Sequence, residues 1–138
     1  MQTCGYATPR VFGQVLSLVD YVLYDIKLVD SGTHLRYTGV ENDLILQNFA
    51  TLCQSGKPFT VRTPLIPGVT DTRENLTAIA RLLQKNGVQK IELMPYNKAA
   101  GAKYAAVGRV FTPDYDPEVP CNPHLEIFSA HNIAAEVL

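Results

Sequence analysis

Three short β-favouring runs, Tyr21 to Lys27, Phe59 to Thr63 and Lys90 to Met94, recur at intervals of thirty-odd residues, and the stretches between them carry apolar residues at helical spacing. That alternation marks βα units, because parallel strands can be joined only by a long crossover, usually a helix packed on the sheet. The helical patterns have their own start and stop signals. Thr8 caps the first, with Pro9 at the first helical position and Phe12, Val15, Leu16 and Val19 on its apolar stripe. A loop then runs from the first strand to about Asn42. Asn42 or Asp43 can cap the next helix, whose inner face is Ile45, Phe49, Leu52 and Cys53 and which stops at Gly56. Asp71-Thr72-Arg73-Glu74 has capping-box spacing with Asp71 as the cap, opening a helix that buries Leu76, Ile79, Ala80 and Leu83 and ends at Gly87. Beyond Tyr96 the pattern predicts a short helix around Ala102 to Val107, then a loop punctuated by Pro113, Pro117 and Pro120. A last helix opened by Asn122-Pro123 and a final strand from Ala134 to Leu138 complete the chain.

An eight-unit barrel takes about 250 residues. The 138 residues here therefore form a single α/β domain, residues 1–138, holding about four βα units, half of a parallel TIM-like β/α barrel. A half barrel exposes two strand edges and the inner faces of its strands, both of which invite association. Either the missing half lies elsewhere, or a small open sheet closes by dimerising through its edge.

Composition narrows the function classes. With 46% hydrophobic and 18% charged residues the chain can bury a core and is too apolar to be disordered. Twelve basic against thirteen acidic residues leave a formal charge of -1, so no whole-chain field draws it to nucleic acid or an anionic membrane. No apolar run approaches the roughly 20 residues of a membrane helix. Met1 to Tyr6 has neither a basic n-region nor an apolar h-region, so a cytoplasmic location is expected. Three scattered cysteines, Cys4, Cys53 and Cys121, fit reduced thiols better than a disulfide framework. Cys121-Asn122-Pro123-His124 has no second ligand pair, so zinc is not expected there, and His34 and His131 read as surface or capping residues.

In parallel α/β proteins ligands meet the carboxyl ends of the strands, and each strand here ends on something polar. Period-two alternation puts Asp25 and Lys27 on one face of the first strand, the second offers Arg62 before Thr63-Pro64, and the third offers Glu92 before Met94-Pro95-Tyr96-Asn97. These four charges can form an ion-pair network in a barrel mouth. Alternatively Lys27 and Arg62 hold an anionic group such as a carboxylate, since arginine offers a planar fork and lysine a mobile point charge, while Asp25 takes an ammonium or a small cation. The run Arg62 through Asp71, with Pro64, Pro67 and Gly68, is a stiffened strand exit beside that arginine.

An ordered set of motifs resembles the carboxyl-terminal part of the glycyl-radical-enzyme activating enzymes, the pyruvate formate-lyase activase branch of the radical S-adenosylmethionine superfamily. It comprises Thr3-Cys4-Gly5-Tyr6, Tyr24-Asp25-Ile26-Lys27, Tyr37-Thr38-Gly39-Val40 with Asn42, Arg62 through Gly68, Glu92-Leu93-Met94-Pro95-Tyr96 and Gly101-Ala102-Lys103-Tyr104. The resemblance implies a partial (β/α)6 barrel, and an enzyme that cleaves S-adenosylmethionine reductively at a 4Fe-4S cluster. The resulting deoxyadenosyl radical takes a hydrogen atom from a glycine of a large glycyl radical enzyme, with a small electron-transfer reductant as second partner. It further implies that Lys27 and Arg62 engage the methionine carboxylate, that Asp25 with Thr3 forms a monovalent-cation site, and that Asn97, where the family has a histidine, contacts the nucleoside.

The chain departs from that family in ways that bear on activity. The cluster needs three closely spaced cysteines, of the Cys-x3-Cys-x2-Cys kind, which Cys4, Cys53 and Cys121 cannot supply, so the cluster-binding half is absent and this chain alone is expected to be inactive. Gln2 stands where an acidic residue often precedes the threonine, and Thr70 replaces a common asparagine. Two other readings remain open: a non-enzymatic remnant or binding module in which the charges form only a structural network, and an unrelated small α/β enzyme using Asp25 and Lys27 as acid and base.

Overall fold

Each βα unit lies beside its successor. The computed structural model describes residues 1–97, 104, 106–110 and 112–138. Strands β1 (Gln2–Thr3), β2 (Val22–Asp25), β3 (Phe59–Leu65), β4 (Lys90–Pro95) and β5 (Ala134–Val137) form a 5-stranded sheet in the order β1-β2-β3-β4-β5. Every neighbouring pair is parallel. Helices α1 (Pro9–Ser17), α2 (Ser31–Thr38), α3 (Asp43–Gln54), α4 (Arg73–Lys85) and α5 (Leu125–Ala130) connect them. No helix among the described residues is long and apolar enough to cross a membrane.

The alternation of burial along the strands separates core from site. Val22, Tyr24 and Ile26, then Val61 and Leu65, then Ile91 and Leu93, are buried in one cluster with Phe12, Phe49, Leu76, Ile79 and Leu83 of the helices. The residues between them, Leu23, Asp25, Thr60, Arg62 and Glu92, are half-buried on the other face. Tyr24 is the centre of the core: its ring meets Phe12 edge-on at 6.2 Å and Phe49 at 5.5 Å, and its hydroxyl donates to the Ile45 carbonyl at 2.7 Å. The turn after β1 lies so close to this phenol that a Cβ at residue 5 would come within 1.9 Å of the hydroxyl oxygen, and with φ at +73° only glycine serves there.

Several expected boundaries move, each for a local reason. β2 stops at Asp25 instead of reaching Lys27. Ile26 N donates to Arg62 O at 2.9 Å, but the donor that a parallel ladder would next bring to the Ile26 carbonyl is residue 64, a proline without an N–H. The expected loop to Asn42 contains α2, capped by Asp30, whose carboxylate accepts from Thr33 N at 2.8 Å, and closed by Gly39 at φ 81°. A single buried residue, His34, gives this helix no apolar stripe to read; His34 is core, not surface, with Nδ1 2.8 Å from Val40 O. The cap of α4 is Thr72, not Asp71, because the Asp71 carboxylate accepts from Gly68 N at 2.7 Å and Asn122 N at 2.9 Å. Asn122 itself accepts from His124 N, an Asx turn that delays α5 to Leu125. Val15 is 38% exposed, leaving Phe12 and Leu16 as the buried face of α1. The helix expected around Ala102 to Val107 falls largely outside the described residues, as do Gly101-Ala102-Lys103.

Candidate functional site

Strand register, not sequence proximity, builds the site. Asp25 pairs with Arg62, Arg62 with Glu92 and Glu92 with Glu136, so four charged residues cross the open face of the sheet in one row. Asp25 and Arg62 are joined directly: Nη2 and Nε of the arginine donate to Oδ1 at 2.8 and 3.1 Å, with side chains only 16% and 12% exposed. Charges this far from water are tolerated because each answers the other. Among the described residues the second carboxylate oxygen, Oδ2, accepts only from Gln2 Nε2, at 3.4 Å. Of the four-charge network expected from spacing, this pair alone forms; Lys27 and Glu92 join no ion pair among the described residues, and Lys90 pairs with Glu136 at 2.9 Å.

Above the carboxyl ends of β2 and β3 lies a cavity of about 530 Å³. Lys27, Ile66 and Thr70 line it from the strand exits, Arg36 and Tyr37 from α2, and Asp114 and Tyr115 from the proline-rich loop. Arg36 and Asp114 close on each other across its mouth at 2.5 Å, both exposed. Tyr115 meets Tyr96 edge-on at 5.4 Å, and burial followed by the neighbouring Tyr96 hydroxyl pushes its phenol above the ordinary range, so it is a neutral hydroxyl at any physiological pH. The pairing of Arg36 with Asp114, 78 residues apart, leaves no local signal, and neither residue is foreseeable from the sequence alone.

The other expected site residues scatter. Asn97 lies exposed just beyond β4 and does not line the cavity. Thr3 is in register with Tyr24, which by the alternation of the pleat puts it on the opposite side of the sheet from Asp25, and its hydroxyl accepts from Gly5 N at 2.9 Å. The side chains of Thr3 and Asp25 therefore do not converge. The cysteines are free and half-buried, and burial pushes the Cys53 thiol up to about 11, away from the thiolate a metal requires. Among the described residues no three His, Cys, Asp or Glu side chains converge on a metal position. The residues present thus do not fit an iron–sulfur cluster.

No protein-family model matches the chain. It is 33% identical over 143 residues to the trans-4-hydroxy-L-proline dehydratase activating enzyme of Clostridioides difficile, across 99% of this chain and 47% of that one. It is 40% identical over 111 residues to the isethionate sulfite-lyase activating enzyme of Nitratidesulfovibrio vulgaris, across 79% and 36% respectively. The choline trimethylamine-lyase activating enzyme of Oleidesulfovibrio alaskensis is 36% identical over 112 residues, 78% of this chain and 36% of that one. The chain thus spans less than half the length of these curated relatives. A crystal structure of a domain of pyruvate-formate lyase-activating enzyme from Bacteroides vulgatus has the same fold, with a TM-score of 0.74 at 24% identity over 99% of this chain and 78% of that one.

Proposed function

Since the chain belongs with the glycyl-radical-enzyme activating enzymes, we propose that it is the carboxyl-terminal part of a radical S-adenosylmethionine activase and carries the anchor for the methionine end of that cofactor. The observation that carries this reading is the pairing of Arg62 with Asp25 on the open face of the sheet, with Lys27, two residues beyond Asp25, lining the cavity at the carboxyl ends of the strands and joining no ion pair among the described residues. A zwitterionic methionine group presents one carboxylate and one ammonium. Arg62 keeps Nη1 for the carboxylate while Nε and Nη2 stay on Asp25, Lys27 adds a second positive charge, and Asp25 offers Oδ2 to the ammonium. The donor set therefore fits the cofactor's polar end, and holding that end fixes where the sulfonium lies. S-adenosylmethionine supplies the radical chemistry when bound; the 4Fe-4S cluster and the electron from a small reductant come from outside these residues.

The protein partner in this reading is a glycyl radical enzyme; the relatives are named as activating a dehydratase, a trimethylamine-lyase and a sulfite-lyase. A sheet open at β1 and β5 also offers two edges for association, including with a second copy. A purely structural ion-pair network is the weaker reading, because it would engage Lys27 and Glu92 and neither is paired among the described residues. Isothermal titration of S-adenosylmethionine into the full chain tests the anchor. Lys27→Ala should weaken binding about tenfold or more, and Arg62→Lys, which keeps the charge and loses the fork, by a similar factor. Affinities equal to the parent chain's in both variants would reject it.

A further inference from the structure

Where β2 stops, the chain does not hand its backbone to solvent. The carbonyls of four successive residues are each met by a buried side chain: Thr63 Oγ1 donates to Ile26 O at 2.7 Å, Asn75 Nδ2 to Lys27 O at 2.9 Å, and Asn42 Nδ2 to Leu28 O at 3.0 Å and Val29 O at 2.9 Å. Thr63, Asn75 and Asn42 are 0%, 8% and 1% exposed. They come from β3, α4 and the start of α3, and they replace the ladder that Pro64 interrupts. Asparagine is costly to bury unless every polar atom is used. Asn75 uses both ends: Oδ1 accepts from Val29 N at 3.1 Å, and Nδ2 donates to Thr70 O at 2.8 Å as well as to Lys27 O.

This makes Asn75 the joint between two loops. On one side it holds the peptide groups flanking the Lys27–Val29 turn, and on the other it holds Thr70, whose hydroxyl accepts from Ile66 N at 2.7 Å and donates to Pro64 O. Lys27, Ile66 and Thr70 all line the 530 Å³ cavity, whereas Asn75 does not. We infer that Asn75 is a positioning residue: with Asn42 and Thr63 it clamps the exit of β2 to the exit of β3, and so fixes the backbone from which Lys27 reaches into the cavity relative to that of Arg62. The consequence for cofactor binding rests on the proposed anchor; the clamp itself does not. An unclamped Lys27 would have to be ordered by the ligand, and the entropy of ordering it would be subtracted from affinity.

Two readouts on the full chain test this. The first is competitive acetylation of the folded protein, with each lysine's rate read by mass spectrometry and Lys57 and Lys90 as internal references. Asn75→Leu should raise the Lys27 rate about threefold or more while leaving the references unchanged. The second is titration with S-adenosylmethionine, where Asn75→Leu should weaken binding about tenfold, and the double variant with Lys27→Ala should bind no more weakly than Lys27→Ala alone. An unchanged Lys27 rate, or losses that simply add in the double variant, would overturn the clamp. If the parent chain shows no affinity for the cofactor, the proposed anchor fails and the acetylation result alone decides the clamp. Should circular dichroism show Asn75→Leu unfolded, Thr63→Val, which keeps side-chain shape and removes only the bond to Ile26 O, replaces it with an expected rise of about twofold.

Discussion

Gly5 and Tyr24 show how tightly single residues define the core beneath the sheet. An alanine at position 5 would bring a methyl within 1.9 Å of the Tyr24 hydroxyl and hold a left-handed φ of +73°, so both strain and overpacking act together. Gly5→Ala should lower stability by about 3 kcal/mol in urea denaturation. Tyr24→Phe in the same background should recover only part of it, because the ring carbons also lie within 2.8 Å of the new methyl. A second prediction at this scale concerns alkaline pH. Burial raises the Cys53 thiol to about 11 from 9.0, and burial with the nearby Cys4 and Cys53 raises the Tyr24 phenol further still. A group whose folded pKa is raised stays neutral in the fold while the unfolded chain releases its proton. Stability from these groups is therefore complete below about pH 9 and falls as pH climbs through the folded value of about 11. Chemical denaturation at pH 8 and 10.5 should show the decline, and Cys53→Ala should reduce its steepness. A stability that rises over that interval would contradict the sign.

Among the secondary-structure elements, α4 tests which hydroxyl or carboxylate starts a helix. Thr72→Ala removes the bond that Thr72 Oγ1 accepts from Asn75 N at 3.2 Å and should cost about 1 kcal/mol. Asp71→Ala should cost more, because it strips partners from both Gly68 N and Asn122 N and so loosens two loops at once. Thermal melts of the two variants decide between them: a larger loss in Thr72→Ala would show that the Asp71 bonds contribute little. The misassigned cap illustrates what a linear reading can hold. Spacing favours Asp71, with glutamate three residues on, and nothing local shows that Asn122 will come to claim its carboxylate. The strands are readable because Tyr21 to Lys27 and Phe59 to Thr63 are β-favouring runs too short for a buried helix, and the convergence of Asp25 with Arg62 follows from expecting charges at strand ends. α2 was unreadable for the opposite reason: only His34 of its eight residues is buried, so its helical signal is the Asp30 cap and Gly39 stop without a stripe between. The resemblance puts Thr3 with Asp25, and the one-residue step of the pleat sets their side chains on opposite faces.

At the scale of the molecule, the sheet divides the chain into an apolar side that holds it together and a polar side that carries the candidate site. The polar side is not simply a surface: the Asp25–Arg62 pair on it is mostly hidden from water. Buried pairs are costly to break one partner at a time. Asp25→Ala should therefore destabilise the fold more than the loss of one hydrogen-bonded side chain elsewhere, while Asp25→Ala combined with Arg62→Leu should regain stability without regaining cofactor binding; calorimetry and titration on the same samples separate the two effects. The strand order carries a consequence of another kind. Because each strand's partner is the one made just before it, from β1 to β5, the growing chain need never wait for a distant segment. Strand order in space thus follows the order of synthesis, so that each new strand can pair with the edge left by the one before it.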